Sequence, residues 1–170
     1  LNSNANNHLI ISGGTLTLND AASTSSLAGN LTIDGGTLTA NGPLSASLLT
    51  LSSGLLNGSG NLTVVNGFTQ TSGTINSTGN LSITQASGNL SLGAITATSI
   101  TAQAVGSITV GGVLNSSGDL AIVATGSTSD LTISNNIIGT GVAGKTLTLQ
   151  AGNNVIFNSA ASVGTTTRNA

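Results

Sequence analysis

This chain contains no cysteine, methionine, tryptophan or tyrosine, and only two phenylalanines and one proline, in 170 residues. Without Cys there is no disulfide framework, and the redox compartment is left open. With aromatics at 1% there is no ring platform for a sugar. Charge is nearly as scarce: 4% of residues are charged, where a globular domain usually has about one quarter. The two basic residues, Lys145 and Arg168, cannot form a phosphate-binding stripe, which excludes nucleic acid as a partner. The acids are four aspartates, Asp20, Asp34, Asp119 and Asp130; there is no Glu, and His8 is the single histidine. No apolar run approaches the roughly 18 residues of a membrane-crossing helix, so no membrane insertion is expected. The chain opens in mid-pattern without Met, and is expected to be a processed or interior piece of something longer.

What is present is apolar and small. Hydrophobic residues make up 38% of the chain, and 24 residues are Gly. A disordered chain would be hydrophilic and charged, and this one is neither. The composition describes a core of Leu, Ile, Val and Ala wrapped in Ser, Thr, Asn and Gly.

The wrapping has a period. Asn61 to Ile83 reads NLTVVNGFTQTSGTINSTGNLSI, in which Asn61-Leu62-Thr63-Val64 returns as Asn80-Leu81-Ser82-Ile83. Copies of this apolar–hydroxyl–apolar phrase start at Leu9, Leu31, Leu49, Leu62, Leu81, Ile100, Leu120 and Leu147. The mean step of about 20 lies in the range of solenoid repeats. Two steps depart from it. The short one, from Leu49 to Leu62, predicts a shortened rung. The long one, from Leu120 to Leu147, predicts an inserted loop, placed near Asn135–Gly144.

Within one repeat, Leu62 and Val64 share a face and Thr63 takes the other, because strand side chains alternate. Val65-Asn66-Gly67 turns the chain, Phe68–Gln70 forms a second short strand, Ser72-Gly73 a corner and Thr74–Asn76 a third strand. Three strands and three turns in so short a repeat make one rung of a parallel β-helix. Thr15–Leu18, Thr37–Thr39, Asn89–Leu92, Ser107–Val110 and Asp130–Ile133 show the same period of two, and no window has helical periodicity. Pro43 falls in the turn Asn41-Gly42-Pro43, where its missing N–H costs least. The prediction is a single all-β domain over 1–170, a parallel β-solenoid of about eight rungs. The rungs are read as 8–29, 30–47, 48–60, 61–79, 80–99, 100–118, 119–144 and 145–164, with Val155 and Phe157 inward in the last. A lone rung cannot offset the entropy of ordering it, whereas a stacked rung is covered on two sides. Open strand edges at both ends would invite neighbours, so copies of the chain or further repeats are expected there.

Candidate functional residues follow from the rungs. Asn30, Asn61, Asn80 and Asp119 each follow a Gly at a corner and are read as one structural ladder; turn preference explains them without a ligand. Thr32, Thr50, Thr63, Ser82, Thr101 and Thr148 form an outward hydroxyl column, interrupted at Ala121. Such a face suits ice or a crystalline polysaccharide, and equally reflects the β-propensity of Thr. Seven Asn-X-Ser/Thr sequons, at Asn30, Asn57, Asn61, Asn76, Asn80, Asn89 and Asn115, could carry glycans in a secreted protein, although a composition this rich in Asn, Ser and Thr also makes them by chance. Asp20 with Asp34, or Asp119 with Asp130, are the carboxylate pairs a polysaccharide-cleaving enzyme would need. Asp as a turn residue is the commoner explanation, and no catalytic residue is assigned. No metal-ligand or cofactor motif is legible, and Gly13-Gly14, Gly35-Gly36 and Gly111-Gly112 read as corners without a following helix.

The segments GNLTIDGGTLTANG, SGTINSTGNLSIT, GGVLNSSGDLAIVATG and GKTLTLQAGNNVIFNSAASVG resemble the repeats of filamentous-haemagglutinin-type exoproteins, the large adhesins of two-partner secretion. Autotransporter passengers are similar in the same way. The resemblance covers most of Leu9–Gly164 and implies a right-handed parallel β-helix, export to the bacterial cell surface and an adhesive or stalk role. Neither that family's secretion domain nor a toxin-like domain is in this sequence, and none of its binding residues carries over. The resulting expectation is a segment of an extracellular shaft or filament, a stiff multivalent rod. Its partners would be its own copies, together with host or matrix glycans. The alternative is a carbohydrate- or ice-binding module that uses the Thr/Asn face.

Overall fold

The computed structural model describes residues 2–4, 6–77, 79–140 and 144–165. These residues contain strands and turns and no helix. Every strand pairing is parallel. The chain is a β-solenoid, and its described residues form eight stacked rungs with three faces per rung.

The first face is entered at Asn2–Ser3 and then by the leading halves of three long strands, Ser25–Ile33, Leu44–Leu51 and Leu62–Gln70. It continues through Asn80–Gln85, Ser99–Ala104, Leu120–Ala124 and Leu147–Ala151. The second face holds His8–Ile11, the trailing halves of those long strands, and then Leu90–Leu92, Ile108–Val110, Leu131–Ile133 and Val155–Phe157. The third face stacks Thr15–Leu18, Thr37–Ala40, Leu55–Gly58, Thr74–Ser77, Ala94–Ala97, Leu114–Ser116, Ile137–Gly139 and Val163–Thr165.

Alternation makes each strand amphipathic, and stacking turns its inward residues into columns. Leu62, Leu81, Ile100, Leu120 and Leu147 are successive partners on the first face. Leu38, Leu56 and Ile75 stack on the third. Ile11, Ile33 and Leu51 stack on the second. Leu31, Ile33, Leu51, Ile75, Ile83, Ile108 and Leu131 are fully buried. The narrow interior is filled by aliphatic side chains and one ring, that of Phe68.

The register corrects the expected rung boundaries. Leu49 does not precede a short copy beginning at Leu62. It pairs with Phe68, a full rung onward, while Leu62 pairs with Leu44, a full rung back. The predicted rung 48–60 is therefore the second and third faces of one full rung whose first face begins at Leu44, and no shortened rung exists there. The copies starting at Leu9, Leu31 and Leu49 lie on the second face, whereas those from Leu62 onward lie on the first. Both faces obey the same inward-apolar, outward-hydroxyl rule, so a three-residue phrase cannot tell them apart.

The extra length between Leu120 and Leu147 is divided between two corners. The turn at 125–130 precedes Leu131–Ile133, and the connection from 140 to 146 precedes Leu147–Ala151. The loop predicted near Asn135–Gly144 overlaps the second of these, and its residues 141–143 lie outside the described residues. Asn135 itself belongs to an ordinary corner, where its side-chain amide donates to Gly111 O at 3.3 Å. Val155 and Phe157 do continue inward columns, above Leu131 and Ile133. Nothing described covers them, so they are exposed rather than core.

Candidate functional site

Three kinds of feature on this scaffold could meet a ligand or partner: outward columns, corner ladders and a notch.

The outward residues predicted as one array form two. Thr63, Ser82, Thr101 and Thr148 stack on the first face, joined by Ser26 and Ser45 below and interrupted by Ala121. Thr32 and Thr50 stand on the second face, in register with Ile10 below and Thr69 above. The same phase continues in the upper half as Ser91, Thr109, Thr132 and Ile156. The third face carries Thr17, Thr39, Asn57, Asn76, Thr96 and Asn115 in one outward column. Asn57 Oδ1 in that column is buried without a hydrogen-bond partner. Each face thus presents a file of small hydroxyl and amide groups, with almost no charge, and the third face adds a second file of Thr15, Thr37 and Thr74, interrupted at Leu55.

The corner ladder joins three of its four predicted members. The Asn80 amide donates to Asn61 Oδ1 at 2.9 Å, and Ser99 Oγ donates to Asn80 Oδ1 at 2.9 Å. One corner further, the Thr146 amide and Oγ1 donate to Asp119 Oδ1 at 2.8 and 3.1 Å. Asn30 is not on this corner: it lies within a strand, paired with His8 and Leu48. Its place is taken by Pro43, whose carbonyl accepts from the Ser25 amide at 2.8 Å.

A second ladder lies outside the sequence-based expectations. It runs through Asn89, Ser107, Asp130 and Asn154 at the corner between the first and second faces. The Ser107 amide donates to Asn89 Oδ1 at 3.0 Å, the Asp130 amide to Ser107 Oγ at 3.0 Å and the Asn154 amide to Asp130 Oδ1 at 3.0 Å. Its sequence signal is a short polar residue one or two places before each second-face strand.

The aspartates serve these corners. Asp20 accepts from the amides of Ala22 and Ser23, and bonds to the Ser23 side chain and these amides hold its carboxyl below the ordinary range. Asp119 is held low by the amide and then the hydroxyl of Thr146, with Lys145 nearby. Asp34 accepts from Ser53 Oγ at 3.3 Å. Asp20 lies between the third and first faces and Asp34 between the second and third, so the two are not brought together as a carboxylate pair. Asp119 and Asp130 likewise occupy different corners. Among the described residues, no three of His, Cys, Asp and Glu gather where they could hold a metal ion.

The notch, of about 380 Å³, lies at the corner between the second and third faces. Most corners there take three residues, as at 34–36, 52–54, 71–73 and 111–113. Gly93 alone joins Leu90–Leu92 to Ala94–Ala97, so the fifth rung is recessed. Thr71, Ser72 and Gly73 form the floor and Gly111 and Gly112 the roof. Gln70 reaches across. Its Oε1 accepts from the Gly93 amide at 3.0 Å, and its Nε2 donates to Gly73 O and Ala94 O at 3.2 and 3.3 Å. Gln70 occupies the inward column of Ile11, Ile33 and Leu51 and is only 8% exposed. A polar residue in an apolar column is its signal, visible only once the rungs are phased correctly.

No family model, no curated protein and no solved structure matches this chain.

Proposed function

We propose that this chain is a stretch of the shaft of a secreted bacterial cell-surface fibre, a stiff rod that acts mechanically and through repetition. The observation that carries the reading is the last described rung. Leu147, Val155, Phe157 and Val163 continue the inward columns but are 40–50% exposed. Among the described residues nothing pairs with the outer edges of the three strands that bear them, and these strands carry no charge. Such edges invite another parallel rung, and only a rung of similar cross-section offers parallel strands at all three faces. The natural neighbour is a further repeat or a second copy. The repeat resemblance to two-partner-secretion adhesins points the same way, and supports a location outside the cell. The near absence of charge and the files of outward hydroxyls suit a shaft whose affinity for a surface comes from many weak contacts.

Electron microscopy of the purified chain tests this. Fibres with an axial repeat of about 4.8 Å are expected. Discrete short rods at every concentration would refute end-to-end assembly of this segment.

One observation favours a second reading. The first-face file of Ser26, Ser45, Thr63, Ser82 and Thr101 is unbroken over five rungs, which suits binding to ice or a crystalline glycan. Thermal hysteresis, or retention on cellulose or chitin, abolished by Thr63→Leu together with Thr101→Leu, would replace the shaft reading.

A further inference from the structure

The two halves of the solenoid are not joined equally on their three faces. Between the fourth and fifth rungs the first face is continuous, with Leu62–Val64 paired to Leu81–Ile83. The third face is continuous too, with Thr74–Asn76 paired to Ala94–Thr96. On the second face the ladder stops. Phe68–Gln70 ends one sheet and Leu90–Leu92 begins another, and no backbone pairing among the described residues joins them although they pack together.

Two glutamine side chains stand in for the missing bonds. Gln85 Oε1 accepts from the Phe68 amide at 2.8 Å, while its Nε2 donates to Ser87 O at 2.9 Å. Gln70 Oε1 accepts from the Gly93 amide at 3.0 Å. Both occupy inward positions: Gln70 follows Leu51 in its column, and Gln85 precedes Ala104 and Ala124. Above the break the contact is close. The Gly111 and Gly112 amides both donate to Leu92 O at 2.9 and 3.1 Å, and a Cβ on Gly112 would lie 2.2 Å from Gly93 C. The looseness is therefore confined to one step of one face, where the notch opens.

We propose that this step is a directional hinge in the rod. The paired first and third faces form the hinge line, and the second face opens and closes like a jaw, latched by Gln70 and Gln85. A side-chain amide can leave its acceptor by rotamer change, whereas a strand ladder must break several bonds together. The 380 Å³ notch is the space into which the jaw closes. The rod bends in one plane at one level and is stiff elsewhere.

The absence of native cysteine allows clean spin labelling. One double variant, Thr32→Cys with Thr132→Cys, spans five steps of the second face and crosses the break. A second, Ser26→Cys with Ala121→Cys, spans five steps of the unbroken first face. Both pairs are about 24 Å apart at strand spacing. The second-face distance distribution is expected to be about twofold broader than the first-face one, the width reporting the extra excursion. Gln70→Ala should broaden it further. Gly93→Ala should do the same with Gln70 intact, because its Cβ would lie 2.7 Å from Gln70 Cδ and displace the latch. Gln103→Ala, at an exposed position on the paired first face, should leave both widths unchanged. Equal widths for the two labelled pairs overturn the hinge, and so does equal broadening by Gln103→Ala. Should the latch variants fail to fold, the comparison of the two labelled pairs in the otherwise native chain decides alone.

Discussion

Gly79→Ala isolates what the close stacking of corners contributes. Gly79 follows Ser77 at the corner between the third and first faces, directly above Gly60, which is itself above Gly42. A Cβ on Gly79 would lie 2.2 Å from Gly60 O, and one on Gly60 would lie 1.9 Å from Gly42 O. The obstacle is backbone, so no rotamer change relieves it. The two corners must separate by about 1 Å, against a strand spacing of about 4.8 Å. That separation pulls on two bonds that cross it: Ser77 Oγ donates to Gly58 O at 3.2 Å, and the Asn80 amide donates to Asn61 Oδ1 at 2.9 Å. Overpacking typically costs about 1–3 kcal/mol, and each weakened bond about 0.5–1.5 kcal/mol, so the substitution should cost about 2–6 kcal/mol. Gly13→Ala is the control. Its Cβ would meet nothing within 4 Å and its φ is not left-handed, so it should stabilise by about 0.4–1 kcal/mol through the unfolded chain. Urea unfolding followed by far-ultraviolet circular dichroism measures both. Gly79→Ala with the native midpoint, or Gly13→Ala as harmful as Gly79→Ala, would refute the argument that backbone proximity makes these glycines necessary.

Three further outcomes are expected. Ile122, fully buried between Ala102 and Leu149 in an inward column, should cost about 2–5 kcal/mol as Ile122→Ala, read from the same unfolding curve. Asp119 has a lowered folded-state pKa, so its contribution is present above the unfolded value of about 3.9 and is lost as pH falls through the folded value. The Thr146 amide proton shift should titrate with a midpoint below that of a free aspartate, and Asp119→Asn should abolish the titration. Phe157→Lys places a charge on the open last rung, and should suppress fibre growth in light scattering while the circular dichroism of the monomer stays native.

The architecture is legible in the sequence because its rule is local. An inward aliphatic must alternate with an outward hydroxyl wherever a strand is covered on one side, and the chain obeys this from Leu9 to Ile133 with few exceptions. Phase is harder to read. Leu49-Thr50-Leu51 and Leu62-Thr63-Val64 look alike because the second and first faces ask for the same residues, and only the pairing of Leu49 with Phe68 separates them. For that reason sequence alone puts Asn30 on the wrong corner and merges the threonines into one array. Gln70 and Gln85 are inconspicuous in the sequence, since their oddity exists only relative to their columns. The Asn89–Asp130 ladder is hidden because its members vary between Asn, Ser and Asp, which are interchangeable as short hydrogen-bonding side chains.

The long step from Leu120 to Leu147 leaves the five first-face pairings of Leu120–Ala124 with Leu147–Ala151 intact. In this rung the extra residues are absorbed at the corners, and the columns on all three faces stay paired. Thickness and ornament are thus separate genetic variables in this molecule. A lineage could lengthen one corner into a display loop, or trim it back, without renegotiating the stack. The regions around 125–130 and 140–146 are where foreign peptide would be tolerated first.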